Sequence, residues 1–527
     1  MIAGGTLYER RWQALAVLCL SLLIVNLDNL ILNIALPTLA RELSATGSQL
    51  QWMVDAYVLV FAGLLLTAGA IGDRFGRKRT LFTGFAIFTA GSVGAALSDS
   101  ADQLIVMRVV MGIGGAFIMP STLSILTNIF PPPERPKAIA FWTATVAVGV
   151  PAGPILGGLL LEHFAWGSVF LVNLPIIAVA ALAGSILVPE SRDPTEKPLD
   201  PLGALLSIAS LGTLVYAVIE APANGWGSTT TLLLFVLALV LLAAFIRWEA
   251  TRQRPLLDLS LFRKRSFTGA AVAIALVFFS LFASIFFLTQ YLQFVLGYDA
   301  LAAGVRMTPV AVGLILGTIL STRLRPVTGT RLVVSVGLAI TAGGLAILAT
   351  ISDSSGYSTV LLALAVAGFG MGITSAPATN SIMGSVPREQ AGVASAVNNI
   401  TRPVGGALGV AVLGSLLSTA YRSSLDNAAV TLPSDAAVAA RDSIGSAIQI
   451  AGRLGGPEGE ALTLAAQSAF VDAMGTAILA GVAIALLGAA VAATVLPSRE
   501  RERAGEAGAM ASYHALPRSG GSSVSDG

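Results

Sequence analysis

The stretch GAIGDRFGRKR, residues 69–79, decides how this chain is built. It places five charges within seven residues, between two long apolar runs. Its glycines permit a tight reversal of the backbone, and its basic residues predict a turn on the cytoplasmic side of a membrane. Because a simple connection would tolerate many sequences, so specific a mixture predicts a working part of the molecule.

The composition is that of an integral membrane protein. Of the 527 residues, 55% are hydrophobic and only 11% are charged, whereas soluble proteins carry about 25% charged residues. The single cysteine, Cys19, excludes an intrachain disulfide, and the two histidines, His163 and His514, form no ligand pattern. The sequence therefore predicts neither a metal nor a cofactor.

Fourteen apolar runs are long enough to cross about 30 Å of hydrocarbon. They lie at 13–36, 50–71, 80–97, 103–127, 138–160, 168–188, 201–221, 229–248, 267–296, 302–322, 332–351, 357–382, 391–418 and 468–496. With both termini in the cytoplasm, 24 of the 31 Lys and Arg residues lie on the inner side and four on the outer side. This asymmetry predicts a multi-pass protein of a bacterial inner membrane with both termini inside.

The spans group into regions, and a degraded copy of the opening stretch at 323–331 indicates two repeated halves. The predicted regions are an N-terminal six-helix bundle (1–190), a linker with two extra helices and a cytoplasmic amphipathic segment (191–265), a C-terminal six-helix bundle (266–497) with a long extracellular loop (419–467), and a disordered cytoplasmic tail (498–527).

Three charged residues lie inside predicted spans: Asp28 in LDNLILNIALP, Asp55 in QWMVDAY and Arg108 in RVVMGIGG. At 1.5 Å per residue they lie about 8–12 Å below the outer ends of their spans. An arginine between two acids can stabilise one carboxylate while the other exchanges protons. A purely structural ion pair between Asp28 and Arg108, and interfacial solvation of Asp55, are the alternatives.

A further motif, GVPAGPILGG at 149–158, lies in the fifth predicted span. Small residues let helices approach closely and proline bends a helix, so this span is predicted to flex or to seal against a neighbour, with ordinary packing as the alternative. The residues singled out are Gly149, Gly153, Pro154, Gly157 and Gly158.

With these motifs in this order, the chain resembles the major facilitator superfamily, in its fourteen-span drug:proton antiporter branch, and within it the bacterial exporters of quaternary ammonium compounds. The resemblance implies an all-α polytopic membrane protein with 14 transmembrane helices, built as two six-helix bundles plus two inserted helices. It also implies that Asp28 and Asp55 handle protons and cations, and that 149–158 is an antiporter signature.

The resemblance gives the opening stretch the role of a conformational latch. Asp73 would dock against the positive N-terminus of span 13, near Ala391, and hold the outward-facing state. The implied latch residues are Gly69, Asp73, Arg74, Gly76, Arg77 and Lys78.

The chain departs from some of these relatives in its second half. Where they carry acids in spans 10 and 13, this sequence has Arg306 in span 10, and Asn398, Asn399 and Arg402 in span 13. The departure argues against export of divalent cations.

Aromatic and amide side chains recur in span 9 at Phe278, Phe282, Phe286 and Gln290. Such a face suits a cavity for flat cations, and packing or lipid-facing phenylalanine explains it equally well. The predicted cavity-lining residues are Asn33, Tyr57, Phe282, Phe286, Gln290 and Gln293.

Together these features predict a monomeric antiporter that exports amphipathic, cationic compounds in exchange for protons. A dedicated exporter of an endogenous antibiotic, metabolite or lipid is the alternative. A membrane enzyme, receptor or channel is disfavoured because the sequence has no catalytic His or Cys cluster, sensor domain or phosphate-binding loop. The predicted partners are protons, the lipid bilayer and a lipophilic or cationic drug, with no nucleic acid.

Overall fold

The regular structure is helical throughout the part of the chain that the computed structural model describes. That part comprises residues 10–131, 134–192, 200–252, 259–352, 355–386, 391–429 and 433–497, with some side chains inside these ranges also left undescribed. Much of the predicted linker and of the amphipathic segment, and the whole predicted tail at 498–527, lie outside the described residues.

The first bundle contains seven helices. They are α1 (Arg11–Glu42), α2 (Gly47–Phe75), α3 (Arg77–Ala96), α4 (Ala101–Ile129), α5 (Arg135–His163), α6 (Ser168–Leu171) and α7 (Asn173–Leu187). Two inserted helices follow, α8 (Pro201–Asn224) and α9 (Thr229–Thr251), and then a 3₁₀ turn (Leu259–Arg263).

The second bundle begins with α10 (Arg265–Gln290), which continues into a π-helical turn (Tyr291–Val295). The later helices are α11 (Ala300–Arg306), α12 (Thr308–Thr328), α13 (Thr330–Ala349), α14 (Tyr357–Gly384), α15 (Ala391–Ala429), α16 (Ser434–Asp442), α17 (Ile444–Leu454) and α18 (Gly456–Val495).

Twelve helical segments of the described chain are long and apolar enough to cross a membrane. The predicted all-α polytopic architecture is therefore confirmed, whereas the count of fourteen is not. Helices occupy the two remaining predicted spans, α3 and α5, but neither meets the same measure within the described residues. In α3 the reason is its start, because this helix of 20 residues begins with Arg77, Lys78 and Arg79, which lower its hydropathy. Its glycines bring it against α4, where a Cβ at Gly91 would lie 2.7 Å from the Met111 side chain.

Both ends of the described chain lie at one face of the molecule, here called the terminal face. Leu496, just after α18, packs against Gly269 near the start of α10. The other end of α10 leads to Gln293, whose side-chain amide donates to the Ile34 carbonyl oxygen near the end of α1 at 3.0 Å. The opposite side, where α1 and the π-helical turn end, is here called the far face.

The two bundles meet near the far face through backbone contact. A Cβ at Gly304 of α11 would lie 2.2 Å from the Pro154 carbonyl oxygen of α5, and one at Gly158 would lie 2.4 Å from Leu301 Cα. Only glycine allows helices to approach this closely. The α5–α11 contact is therefore a seam that any larger side chain would open.

Helices α16 and α17 cover the far face across the two bundles. The Ser443 hydroxyl between them donates to the Ala45 carbonyl oxygen at 3.4 Å, and the Gln449 amide donates to the Arg41 carbonyl oxygen. Asp442, at the end of α16, forms an ion pair with Arg422. Burial raises the pKa of the Asp442 carboxyl, and the charge of Arg422 offsets only part of this rise. The predicted loop at 419–467 thus contains these two helices, and α15 and α18 extend into it from either side.

The inserted pair lies at the edge of the two bundles. Ile208 of α8 packs on Gly63 of α2, and the Ser415 hydroxyl of α15 donates to the Val218 carbonyl oxygen of α8 at 2.7 Å. Helix α9 packs on α8 and exposes a row of large apolar side chains, with Leu233 62% exposed. Such a surface is suited to lipid rather than water.

We expect Gly304→Ala to destabilise the protein, because the new Cβ would collide with the Pro154 carbonyl oxygen and push α11 away from α5. Overpacking of this kind costs about 1–3 kcal/mol. The matched control is Gly343→Ala, since a Cβ at Gly343 of α13 meets no atom within 4 Å. Thermal unfolding of the detergent-purified variants measures the difference, and equal melting temperatures would contradict the seam.

Candidate functional site

A buried ion pair lies at the centre of the first bundle. Arg108 of α4 is fully buried, and its Nη1 donates to Asp28 Oδ2 of α1 at 2.5 Å. Its Nε donates to the Met53 carbonyl oxygen of α2 at 2.9 Å, and its Nη2 to Asn29 Oδ1 at 3.4 Å. One guanidinium therefore joins α1, α2 and α4.

Two glycines of α4 bring α2 close enough for this contact. A Cβ at Gly112 would lie 2.7 Å from the Tyr57 carbonyl oxygen, and one at Gly115 would lie 2.8 Å from the Tyr57 hydroxyl. The Tyr57 ring lies against Arg108, with 4.3 Å between the guanidinium carbon and the ring centroid. Tyr57, predicted to line a cavity, is completely buried in this position.

Asp28 has a second partner that sequence reasoning missed. Asn173, at the start of α7, donates through Nδ2 to Asp28 Oδ1 at 3.0 Å, so both carboxylate oxygens of Asp28 are hydrogen-bonded. The same amide lies 3.3 Å from the Ser92 hydroxyl of α3. An asparagine within the apolar run 168–188 was the available signal, but it named no partner.

Asp55 of α2 is buried without such partners. It is 0% exposed, and neither carboxylate oxygen has a hydrogen-bond partner among the described residues. Gln51, one turn earlier, packs against Gly414 of α15, where a Cβ would lie 2.9 Å from its amide carbon. Because residues four apart share a helix face, Asp55 faces the second bundle.

Three of the predicted cavity-lining residues line narrow spaces between the bundles near the far face. A small cavity is lined by Asn33 of α1, Pro154 of α5 and Ile285 of α10. A second crevice, beneath α16 and α17, is lined by Phe286 and Gln290. These spaces place polar groups of both bundles along one central axis.

The other two predicted cavity residues hold the bundle helices together. The Phe282 ring packs on Gly406 of α15, where a Cβ would lie 2.9 Å from the ring. Gln293 makes the hydrogen bond to α1 that joins the two bundles.

Arg402 of α15 is a further charged side chain inside the second bundle. Its Nη2 donates to the Thr379 hydroxyl of α14 at 3.2 Å, and its guanidinium carbon lies 5.4 Å from the centroid of the Phe278 ring. The sequence identified this residue only as a departure from relatives, because its neighbours come from other helices.

The opening stretch forms a tight corner between α2 and α3. Gly76 has φ +118°, a conformation that favours glycine. A Cβ at this position would lie only 2.8 Å from a carboxylate oxygen of Glu190. Asp73 forms an ion pair with Arg77 at 2.9 Å, and Lys78 Nζ donates to the Ser185 carbonyl oxygen at 2.7 Å. These contacts brace the corner against the rest of the first bundle.

The other residues of this stretch serve the same corner. A Cβ at Gly69 would lie 3.6 Å from the Pro120 side chain of α4. The exposed Arg74 stacks on Phe75. The side chains of 391–396, where Asp73 is predicted to dock, lie outside the described residues.

The motif at 149–158 packs on two sides. On the first-bundle side a Cβ at Gly153 would lie 2.4 Å from Leu30 Cβ of α1, and on the other side the motif forms the seam with α11. The residues toward α1 are Gly149, Gly153 and Gly157, and those toward α11 are Pro154 and Gly158.

A family model agrees with this architecture of two bundles. Residues 18–410 match the model described as the Major Facilitator Superfamily. The chain belongs to the major facilitator superfamily. It is accordingly a transporter rather than an enzyme.

Several characterised superfamily members are similar along nearly the full chain. The multidrug efflux pump LfrA of Mycolicibacterium smegmatis is 36% identical, covering 92% of this chain and 95% of that protein. The tetracenomycin C resistance and export protein of Streptomyces glaucescens is 34% identical, covering 94% of each chain. The methyl viologen resistance protein SmvA of Salmonella typhimurium is 35% identical, covering 88% of this chain and 93% of that protein.

A solved structure of another transporter shares the fold. The bacterial homologue of the human lysosomal transporter Spinster, crystallised in an inward-facing and unoccupied conformation, superposes with a TM-score of 0.64 at 20% identity. The match covers 93% of this chain and 99% of that one.

We expect Asp28→Asn to destabilise this superfamily member strongly, because it leaves Arg108 buried without a counter-charge. Breaking a buried pair costs about 3–5 kcal/mol, whereas replacing both partners with apolar groups can be close to neutral. The double variant Asp28→Leu/Arg108→Met is therefore expected to unfold at a higher temperature than either single variant. Losses that simply add in the double variant would contradict a coupled pair.

Proposed function

We propose that the protein is a proton-coupled multidrug efflux antiporter that exports amphipathic, cationic compounds across a bacterial cell membrane. The relatives named as multidrug efflux and resistance proteins support this function, since they cover most of the chain. The excess of basic residues on one side supports a topology with both termini in the cytoplasm. The far face would then be extracellular, and one chain would act alone because it supplies both bundles.

The observation that carries the proposal is the contrast between the two intramembrane acids. Asp28 has a cation and an amide on its carboxylate, whereas Asp55 is buried with no hydrogen-bond partner among the described residues. A charged group left unpaired in a membrane interior is expensive and is retained for a function. Asp55 therefore serves as the carboxylate that binds either a proton or the cationic substrate.

Asp28 and Arg108 position this carboxylate. Arg108 holds the Met53 carbonyl oxygen, two residues before Asp55, and so controls where the first third of α2 lies relative to α1 and α4. The ion pair is a fixed frame in this mechanism, and Asp55 is the exchanging group.

Coupling follows from competition at Asp55. A proton and a cation cannot neutralise one carboxylate together, so a proton bound from outside releases the exported cation, and loss of that proton inside lets the next cation bind. The bundles would alternate about the central axis, opening the seam between α5 and α11. The turn at 69–79 would latch the outward-facing state through Asp73 and the start of α15.

One exchanging carboxylate sets the energetics. A hundredfold concentration gradient costs about 2.7 kcal/mol, and one net charge moved through 100 mV yields about 2.3 kcal/mol. Exchange of one proton for one monovalent cation moves no net charge, so the pH gradient alone drives it.

A dedicated exporter of an endogenous compound is the second candidate function. It is favoured by the similarity to the tetracenomycin C resistance and export protein. Efflux of a panel of unrelated dyes, with and without an uncoupler, separates the two: broad, uncoupler-sensitive efflux supports the multidrug function.

We expect Asp55→Asn to reduce efflux driven by an imposed pH gradient at least tenfold, because the amide cannot bind and release a proton. Asp55→Glu is expected to retain it. The measurement is the uptake of a cationic dye into everted membrane vesicles, whose cytoplasmic side faces the medium and whose lumen is made acidic. The matched control is Asp472→Asn, which removes an exposed acid of α18 and is expected to leave efflux unchanged.

The opposite pattern would overturn the assignment of Asp55. If Asp55→Asn exports dye at the wild-type rate while a stably folded Asp28→Asn does not, the exchanging carboxylate is Asp28.

We also expect exchange of a monovalent cation to be electroneutral. In proteoliposomes, a potassium diffusion potential of 100 mV without a pH gradient should drive no dye efflux, and an equivalent pH gradient should drive it. Efflux under the potential alone would indicate a second exchanging proton.

A further inference from the structure

The second bundle places a cation deep in its interior with little to neutralise it. Arg402 lies 11 residues into α15, about 16 Å from the start of that helix and hence near the middle of a 30 Å hydrocarbon layer. Helices α10 to α14 contain no Asp or Glu. Intramembrane charges usually mark a pathway or a ligand site, so the partner of Arg402 needs an explanation.

The protein satisfies this guanidinium only in part. Its Nη2 donates to the Thr379 hydroxyl, which itself donates to Asn398 Oδ1 at 3.2 Å. Its Nε is buried and has no hydrogen-bond partner among the described residues, and no ion pair to Arg402 occurs there. Arg402 as a whole is only partly buried, so part of its surface is accessible.

The aromatic neighbour of Arg402 indicates that the guanidinium lies toward the interface between the two bundles. The guanidinium of Arg402 lies over Phe278 of α10, and Phe278 is seven residues before Ile285. Residues seven apart share a helix face, and Ile285 lines the small cavity between the bundles together with Asn33 of the first bundle. Arg402 and Phe278 therefore lie on the central side of the second bundle, nearer the terminal face.

Asp55 faces the same axis from the other bundle. Gln51 packs on Gly414, and α2 and α15 run in opposite directions. Asp55 is about 6 Å below that contact and Arg402 about 18 Å below it, so the two charges are separated by about 12 Å along the axis. This is the length of a fused aromatic ring system with a charged group at each end.

We infer that Arg402 is a binding residue for an oxyanion of the substrate, a carboxylate or phenolate, and that among the compounds this transporter exports it prefers amphoteric aromatic ones, which carry an anionic group as well as the cationic one. The inference rests on the proposed efflux function and assigns the second half of the same site. Asp55 takes the cationic end of the molecule, Arg402 takes the anionic end, and Phe278 packs on the rings. Arginine suits this role because its planar donors remain charged and match a carboxylate.

A pair of rhodamine dyes tests the inference. Rhodamine B is a zwitterion, and its ethyl ester is a monocation with the same rings. Binding to the purified full-length protein is measured by fluorescence anisotropy, and export of both dyes is measured as their uptake into everted vesicles. We expect wild-type protein to bind the zwitterion more tightly than the ester.

Variants at the arginine connect that preference to one side chain. We expect Arg402→Gln to lower the affinity ratio of zwitterion to ester at least tenfold, or about 1.4 kcal/mol, and Arg402→Lys to retain part of the preference. Thr379→Val removes a hydrogen bond to the guanidinium but keeps the charge, and should lower the ratio about threefold, the size expected for one hydrogen bond. Arg323→Gln, an exposed arginine of α12, is the matched control and should leave the ratio unchanged.

The outcomes separate this inference from the proposed function. A wild-type protein that exports the ester and rejects the zwitterion overturns the oxyanion site and leaves cation efflux standing. An unchanged ratio in both Arg402→Gln and Thr379→Val also overturns it. A protein that exports neither dye overturns the efflux function itself, and the inference with it.

Discussion

A guanidinium buried in an apolar bundle must find every hydrogen bond inside the protein, and Arg108 meets this requirement by binding α1, α2 and α4 at once. The desolvation cost of a buried charge is offset only by a counter-charge and well-placed hydrogen-bond acceptors. The first bundle is arranged around that need. Gly112 and Gly115 bring α2 close to α4, and Asn173 donates a hydrogen bond to the other carboxylate oxygen of Asp28. The part of α2 around Asp55 is thereby held at a defined height and orientation.

The second constraint is steric. At the far face the two bundles touch backbone to backbone, through Gly158 and Gly304, with no side chain between them. Lipid tails are as apolar as the helices, so such close packing rather than a hydrophobic driving force favours this contact. A seam that depends on small residues can open without leaving a large apolar gap. Helices α16 and α17 reinforce it from above with polar contacts, which break and re-form more easily in water.

These constraints give the intramembrane charges different roles. Asp28 and Arg108 neutralise one another and set the frame, while Asp55 and Arg402 face the central axis from opposite bundles with few partners of their own. A carboxylate and a guanidinium in that arrangement would orient a molecule that carries both charges. In this mechanism competition with a proton at one end suffices to couple release to the pH gradient.

The sequence by itself determined the membrane class, the helical architecture and the superfamily, because hydropathy, charge asymmetry and the motifs at 69–79 and 149–158 are local properties of the chain. It also named Asp28, Asp55 and Arg108 as intramembrane charges. Only the tertiary structure decided that Asp28 is paired and Asp55 is not, that Asn173 completes the pair, and that α16 and α17 bridge the bundles. Hydrogen-bond partners come from helices distant in sequence, and no periodicity along one helix specifies which neighbour its polar side chains will meet.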